Sequence, residues 1–338
     1  MRKYLLCGAA ALSLSFVAQA QMLINGAGAT FPAPIYTKWF SDYASVDTSF
    51  HINYVAVGSG SGINQVTNGT VDFGASDAFM SDLQLENARI KVLHFPTVMG
   101  AVVAVYNVPG VTVQLNFTQQ ALVDIFLGKV TKWNDPAIAS ANKGVNLPNE
   151  NITVAHRADA SGTTFVFTDF LTTASPDWAH PKGPGRGASV NWPVGLASKG
   201  NDGVTGLVKQ QKNSIGYVDQ IYAVKNKLLY GKIQNKAGQF VQADEVSVAA
   251  AAASLAKSMP ADFRTSIVNA PGKAAYPIST FTWLLIPAHI EDAAKKKALV
   301  GFLNWMLTKG QASCTSLDYV PLPKEVVAKE LKAISLIR

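Results

Sequence analysis

The chain of 338 residues is 48% hydrophobic and 15% charged, with two cysteines and a formal net charge of +7. This length fits about two domains of ordinary size, and the apolar content excludes a disordered protein. Two cysteines exclude a disulfide-rich scaffold and a thiolate metal site, and the positive charge is too scattered to form a nucleic-acid-binding stripe.

The first twenty residues have the pattern of an export signal. Arg2 and Lys3 precede an apolar run, Leu5–Val17, that is too short to span a bilayer, and a small-x-small cleavage sequence ends at Ala20. We therefore expect cleavage after Ala20 and an exported, soluble protein. Its one remaining cysteine, Cys314, cannot form an intrachain disulfide.

Extended and helical patterns then alternate along the chain, which favours an α/β fold. Short β-branched and aromatic segments predict strands, and helical periodicity with capping residues such as Thr118 predicts helices. The predicted strands are His51–Val57, Val71–Ala75, Thr97–Tyr106, Ile152–His156, Ile215–Val218 and Phe281–Ile286. The predicted helices are Pro34–Ala44, Ser81–Arg89, Thr118–Leu127, Thr163–Thr172, Gly203–Gln211, Val246–Met259, Ala293–Thr308 and Lys324–Ile334.

No long linker or internal repeat separates two domains. Two domains without a flexible joint would be connected by strands, for which Val98–Val105 and Thr280–Ile286 are the candidates. Periodicity alone favours a simpler interpretation, in which both are ordinary buried strands of one sheet.

Three glycine-rich turns have the features of an anion cradle. In the first, Gly26–Pro32, the amides of Thr30 and Phe31 would lie free at a helix start. The second, Gly58–Gly62, leads into a short helix, but it fits neither a Walker motif nor the dinucleotide fingerprint and is also compatible with an ordinary turn.

The third turn, Arg157–Thr164, combines a guanidinium group, hydroxyls, a glycine and a helix N-terminus. Unpaired amides and the positive end of the helix dipole favour anions at such a terminus. Ser161 could equally be a simple N-cap, and Arg157 could form a surface ion pair with Asp159. All three turns together favour phosphate or another tetrahedral oxyanion as ligand.

Two acidic residues, Asp77 and Asp159, lie among these turns. A carboxylate about 4 Å from an anion is repelled by roughly 4 kcal/mol at an effective dielectric constant of 20. The repulsion disappears if the anion carries a proton and donates it to the carboxylate, as phosphate can and sulfate cannot. We expect Asp77 to accept the hydrogen bond from that proton and so to select protonated anions, and we expect Asp159 to orient Arg157.

Long collinear motifs resemble the periplasmic phosphate-binding proteins of ABC phosphate transporters. They are GAGATFPAP (Gly26–Pro34), VDFGASDA (Val71–Ala78), RADASGTTFVFT (Arg157–Thr168), KGNDG (Lys199–Gly203) and IGYV (Ile215–Val218). The resemblance covers almost the whole chain after Ala20. It implies a two-lobed α/β receptor of the class II periplasmic-binding-protein type, with lobes joined by two crossing strands.

The resemblance places lobe one at residues 21–102 plus 281–338 and lobe two at residues 103–280. It implies an exported high-affinity receptor that closes on inorganic phosphate and delivers it to the membrane subunits of an ABC permease. We expect a monomer without cofactor, metal ion or nucleic acid. The ligand contacts carried over from the family are Thr30, Phe31, Ser59, Asp77, Arg157, Ser161, Gly162 and Thr163, with Asp159 holding the arginine.

Two alternatives stay open from the sequence. The ligand could be another tetrahedral oxyanion. Protonated arsenate could donate a hydrogen to Asp77 as phosphate does, whereas sulfate could not. A secreted phosphomonoesterase is the alternative from another class, because His156, Asp159 and Ser161 suggest a triad. These three residues lie on one strand-to-loop segment, where they cannot easily align as base, orienter and nucleophile, and no GxSxG sequence surrounds Ser161.

Overall fold

A computed structural model of the chain describes residues 21–253, 255 and 258–338. The predicted export signal lies outside these residues. The strands are β1 (Met22–Gly28), β2 (Phe50–Ala56), β3 (Phe73–Ser76), β4 (Val92–Asn107), β5 (Asn116–Phe117), β6 (Thr153–Arg157), β7 (Leu196–Ser198), β8 (Ser214–Asp219), β9 (Leu229–Tyr230), β10 (Lys232–Gln234), β11 (Phe240–Val241) and β12 (Ser279–Pro287).

The helices alternate with these strands, as the sequence predicts. They are α1 (Ala33–Ala44), α2 (Ser59–Thr67), α3 (Asp82–Glu86), α4 (Gln119–Phe126), α5 (Pro136–Ala139), α6 (Gly162–Ala174), α7 (Pro176–Ala179), α8 (Gly200–Gln210), α9 (Gln220–Lys225), α10 (Glu245–Ala253), α11 (Ala293–Thr308) and α12 (Lys324–Ala333). The α/β prediction is therefore confirmed.

Local chemistry explains where these elements begin and end. Thr118 caps α4 by accepting a hydrogen bond from the amide of Ala121, and Asp292 caps α11, whose bounds match the prediction. The helix predicted to reach Met259 is described as helical only to Ala253. The predicted turn at Gly26–Pro32 is also partly wrong, because its glycines continue strand β1 as far as Gly28.

The main sheet has the order β2-β1-β3-β12-β4-β8-β6-β7, with β9 also paired to β4. Strand β4 is sixteen residues long and buried along most of its length. Its first part pairs with β12 up to Ala101, and from Val102 onward it pairs with β8. One continuous strand thus connects a first set of strands (β1, β2, β3 and β12) with a second set (β6, β7, β8 and β9).

The helices pack aromatic and aliphatic faces against this sheet. In α1 the buried positions Tyr36, Trp39, Phe40 and Tyr43 repeat with helical spacing on one face. Cys314 is a free, buried cysteine. Within the described part of the chain, no helix combines the length and apolar character that crossing a membrane requires.

The carboxyl group of Glu330 is buried in this core without a hydrogen-bond partner among the described residues. The side chain of Glu330 on α12 is 0% exposed, and neither carboxyl oxygen has a hydrogen-bond partner among residues 21–253, 255 and 258–338. Burial raises the pKa of this carboxyl well above its usual range. Its protonated form is therefore favoured by folding, and stability is lost as the pH rises from the unfolded pKa toward the folded one.

Replacing this carboxyl with an apolar group should stabilise the protein. We expect Glu330→Met to raise the free energy of unfolding by about 1–3 kcal/mol at pH 8, since an unsatisfied buried polar group is removed. The gain should shrink toward pH 4, where the wild-type carboxyl folds already protonated. Denaturant unfolding at several pH values measures both effects.

The matched control is Glu325→Met, at an exposed position of the same helix, which should change stability by less than about 0.5 kcal/mol. A loss of stability in Glu330→Met, or a gain that is the same at pH 4 and pH 8, would contradict the argument.

Candidate functional site

Two sets of parallel strands point at each other across one crevice. Strands β1, β2 and β3 are parallel to one another, and so are β6, β7 and β8. Strand β12 is antiparallel to both β3 and β4, and β8 is antiparallel to β4. The two sets therefore run in opposite senses along β4, and their carboxyl ends meet where α/β proteins bind ligands.

Each predicted site residue follows one of these carboxyl ends. Thr30 and Phe31 follow β1, Ser59 begins α2 after β2, and Asp77 follows β3. On the other side, β6 ends at Arg157 and is followed by the start of α6. The second glycine-rich turn is already helical from Ser59 onward, after Gly58 has taken a positive φ of 98° that favours glycine.

Asp77 lies at the centre of the crevice and is 2% exposed. Its Oδ1 accepts a hydrogen bond from Thr282 Oγ1 at 2.7 Å, and its amide donates to Ser59 Oγ at 3.2 Å. Burial raises the pKa of Asp77 well above its usual range, and the nearby Asp219 carboxylate adds to the shift, whereas Thr282 and Arg157 oppose it. The closed site therefore favours a hydrogen at this carboxyl group.

Helix α6 begins directly against Asp77. A Cβ atom added at Gly162, the first residue of α6, would lie 2.7 Å from Asp77 Cβ and 2.8 Å from Asp77 N. Only glycine allows this approach between the two strand sets. The contact brings the positive end of the α6 dipole to the same point as the Asp77 carboxyl.

The start of α6 offers hydrogen-bond donors. Ser161 is its N-cap, with Oγ accepting from the amide of Thr164 at 3.1 Å, so its own hydroxyl hydrogen is not used in that bond. The amides of Gly162 and Thr163 lie in the first turn and have no acceptor within the helix. Such a terminus suits an anion.

Arg157 is held by Asp159 through two hydrogen bonds. Nε donates to Oδ1 at 2.8 Å and Nη2 to Oδ2 at 2.6 Å, and the arginine side chain is only 1% exposed, so this is no surface ion pair. Burial acts to raise the pKa of Asp159, but the bonds from Arg157 and from the amide of Gly200 hold it below its usual value. The remaining guanidinium nitrogen, Nη1, lies 3.3 Å from Thr163 Oγ1.

The contribution of Phe31 to the crevice is limited to its backbone. Its side chain is 2% exposed and contacts the ring of Tyr319 with centroids 5.3 Å apart. The hydroxyl of Tyr319 also donates to the carbonyl of Phe31 at 2.6 Å.

Sequence reasoning missed two buried residues that connect the site, Asn201 and Asp219. Asn201 Nδ2 donates to Thr30 Oγ1 at 2.7 Å and to Asp219 Oδ2 at 2.5 Å. Thr163 Oγ1 donates to the same Asp219 oxygen at 2.9 Å. Asp219 is the last residue of β8, and Asn201 lies in the first turn of the helix that follows β7. Polar residues at the carboxyl ends of strands are therefore the sequence signal that could have identified Asn201 and Asp219.

Contacts between the two strand sets leave the crevice closed around these groups. The amide of Gly60 donates to the carbonyl of Ala160 at 3.0 Å, and the hydroxyl of Tyr222 donates to the carbonyl of Thr30 at 2.7 Å. Beside the site lies a cavity of about 370 Å³ that Ser59, Ala160 and others line.

The residues considered for a catalytic triad are bonded elsewhere. His156 Nδ1 lies 3.1 Å from the carbonyl of Arg157, Asp159 holds Arg157, and Ser161 caps α6. No group of three or more histidine, cysteine, aspartate or glutamate residues in the described ranges is arranged to hold a metal ion.

Comparisons with known proteins agree with this architecture. A family model described as the PBP superfamily domain matches residues 17–309. The chain is 44% identical to the phosphate-binding protein PstS of Pasteurella multocida over 318 residues, covering 94% of this chain and 91% of that protein. It is also 44% identical to the phosphate-binding protein PstS of Xylella fastidiosa (strain Temecula1) over 311 residues, covering 92% and 84%.

Solved structures share the fold at lower sequence identity. A high-affinity periplasmic phosphate-binding protein, PfluDING, bound with phosphate has a TM-score of 0.74 at 22% identity, covering 91% of this chain and 93% of that one. The phosphate-binding protein of Stenotrophomonas maltophilia has a TM-score of 0.69 at 19% identity, covering 92% and 93%.

The fold and the crevice define a protein of the periplasmic-binding-protein class. Within that superfamily, the chain belongs to the PstS phosphate-binding protein family. The predicted family resemblance and fold class are confirmed.

The close approach at Gly162 gives a test of how the crevice closes. In Gly162→Ala the added methyl group meets the backbone of Asp77, so we expect the two sides to stop short of full closure. Ligand affinity should fall at least about 100-fold, because donors and ligand atoms misplaced by an ångström lose most of their bonds. Calorimetry measures the affinity, and thermal unfolding confirms the fold.

The matched control is Gly206→Ala in α8, where an added Cβ meets nothing within 4 Å. It should leave ligand affinity unchanged and stabilise the helix by about 0.5–1 kcal/mol. Wild-type affinity in Gly162→Ala would show that this contact is not needed for binding.

Proposed function

We propose that the protein is an exported receptor for inorganic phosphate that closes on the anion and delivers it to the membrane subunits of an ABC permease. The relatives that support this are phosphate-binding proteins by name, and phosphate is bound in a solved structure of the same fold. Cleavage after Ala20 and release into the periplasm are part of the proposal.

The observation that carries the proposal is the pairing of Asp77 with the start of α6. An anion at this helix start would contact a buried carboxyl group whose environment raises its pKa and so favours a hydrogen. Phosphate supplies that hydrogen itself, because it keeps at least one proton near neutral pH. Sulfate brings none, so the same closure must take a proton from solution.

We assign the remaining contacts to donors. The amides of Thr30, Phe31, Gly162 and Thr163 would bind phosphate oxygens, with the hydroxyls of Thr30, Ser59 and Ser161. Arg157, oriented by Asp159, adds the charged donor. Hydrogen bonds from charged groups are about twice as strong as neutral ones, so this side chain anchors the ligand.

Closure is proposed as a hinge motion of two lobes, residues 21–102 plus 281–338 and residues 103–280. In support, β4 changes its pairing partner between Ala101 and Val102. Every proposed ligand contact before Val102 lies on one lobe, and Arg157 to Thr163 lie on the other. Bound phosphate would then bridge the lobes and stabilise the closed form.

Turnover is not part of this proposal. The candidate nucleophile Ser161 is an N-cap, and His156 lies against a carbonyl group rather than against Ser161. The purified protein should release no phosphate from a generic phosphomonoester, whereas measurable turnover would support the phosphatase alternative.

Calorimetric titration of the purified mature protein tests the proposal directly. We expect tight one-to-one binding of phosphate, binding of arsenate, since it is also protonated, and exclusion of sulfate at pH 8. Sulfate that binds as tightly as phosphate, or phosphate that does not bind, would contradict the proposed function.

A second measurement isolates Asp77. Burial in the closed structure raises the pKa of Asp77, so we expect binding of proton-free sulfate to take up one proton, and sulfate affinity should fall up to about tenfold per pH unit as the pH rises. In Asp77→Asn the amide keeps an acceptor for Thr282 and gains a donor for the anion. We expect stronger sulfate binding at pH 8 with little pH dependence, measured by competition with phosphate.

The matched control is Asp42→Asn on the half-exposed surface of α1, which should bind sulfate as the wild type does. The proton-reading role of Asp77 is wrong if Asp77→Asn still excludes sulfate across the pH range.

A further inference from the structure

Asn201 uses every hydrogen-bonding group of its side chain inside the site. Its Nδ2 donates to Thr30 Oγ1 and to Asp219 Oδ2, and its Oδ1 accepts from the amide of Asp219 at 3.0 Å. Asn201 and Asp219 are both 0% exposed. Flipping the carboxamide would turn its oxygen toward a carboxylate and its nitrogen toward an amide hydrogen. The orientation of the group is therefore fixed.

This orientation decides the direction of the Thr30 hydroxyl group. A hydroxyl has one hydrogen to donate and two lone pairs to accept. Because Asn201 donates to Thr30 Oγ1 at 2.7 Å, the hydrogen of Thr30 cannot point back at Asn201. It is left to be donated on the remaining side of the oxygen, toward the crevice.

Asp219 orients the hydroxyl group of Thr163 in the opposite way. It donates its hydrogen to Asp219 Oδ2 at 2.9 Å and lies 3.3 Å from the donor Arg157 Nη1. Its hydrogen is thus used within the protein. Asn201 and Asp219 contact two threonine hydroxyl groups. Of these, the hydroxyl of Thr30 is therefore the one that can donate a hydrogen bond into the crevice.

We propose that Asn201, held in place by Asp219, is a positioning residue that presents the Thr30 hydroxyl hydrogen to the bound anion. The inference rests on the proposed function, since the anion is inorganic phosphate. In this proposal Asn201 does not itself contact phosphate. It orients the hydroxyl hydrogen that makes the contact between Thr30 and phosphate attractive. Without Asn201, the Thr30 hydroxyl is free to turn its hydrogen away from the bound anion.

A double-mutant cycle with phosphate calorimetry tests this role. Asn201→Ala should weaken phosphate binding by about 10- to 100-fold, the range for one hydrogen bond to a charged group. In a Thr30→Val background, where the hydroxyl is already gone, the same change should cost less than about threefold. In a Thr30→Ser background, which keeps the hydroxyl, the full effect should return.

Tyr222→Phe is the matched control for a contact that merely joins the two sides. It removes the bond to the carbonyl of Thr30 and leaves the Thr30 hydroxyl group untouched. Its effect on phosphate affinity should be the same with threonine or valine at position 30. Equal coupling for Tyr222→Phe and Asn201→Ala would overturn the positioning role, as would a cycle in which Asn201→Ala and Thr30→Val are additive.

The outcomes separate the inference from the function on which it rests. Failure of the wild-type protein to bind phosphate overturns both. Wild-type binding together with an additive cycle overturns the positioning role alone. Thermal unfolding checks each variant, and if Asn201→Ala does not unfold cooperatively, Asn201→Ser replaces it in the cycle, since the shorter side chain cannot reach both Thr30 and Asp219.

Discussion

In the proposed function, the whole site depends on a hydrogen shared between the buried carboxyl group of Asp77 and the bound anion. Two negative charges about 4 Å apart repel by roughly 4 kcal/mol at an effective dielectric constant of 20, which corresponds to about a thousandfold in affinity. Thr282, Ser59 and the start of α6 contact Asp77 closely, which would hold the carboxyl group beside an anion bound at this helix start. The proposed selectivity thus follows from the fixed position of one carboxyl group.

The other charged groups in the crevice are held by different kinds of partner. Arg157 is paired with Asp159, and one oxygen of Asp219 is bound by Asn201 and Thr163. In the proposed function, the anion is bound by Arg157 and by oriented amides, hydroxyl groups and helix starts. The amides and helix starts are fixed by the fold, so they would need little reorganisation to bind an anion.

Local patterns predicted most of the fold and the backbone cradle. The ends of α11 follow from a capping aspartate and a regular apolar face, and Ser161 was recognisable as a helix start. Strand β1 was misread at its glycines, because only pairing with β2 and β3 makes them extended. Asn201 and Asp219 were missed as site residues, although Asn201 lies within the KGNDG motif. The parallel arrangement of β6, β7 and β8 brings the two together, and the contact across the crevice brings Asn201 beside Thr30.

Strand β4 also has a consequence for how the protein denatures. It supplies buried side chains and a hydrogen-bonded edge to the strands on both sides of Ala101 and Val102. Unfolding of either half would remove a paired strand from β4 and expose the apolar residues of β4 to water. The two halves would consequently unfold as one cooperative unit, and the segment proposed as the joint between the lobes would also keep either half from unfolding alone.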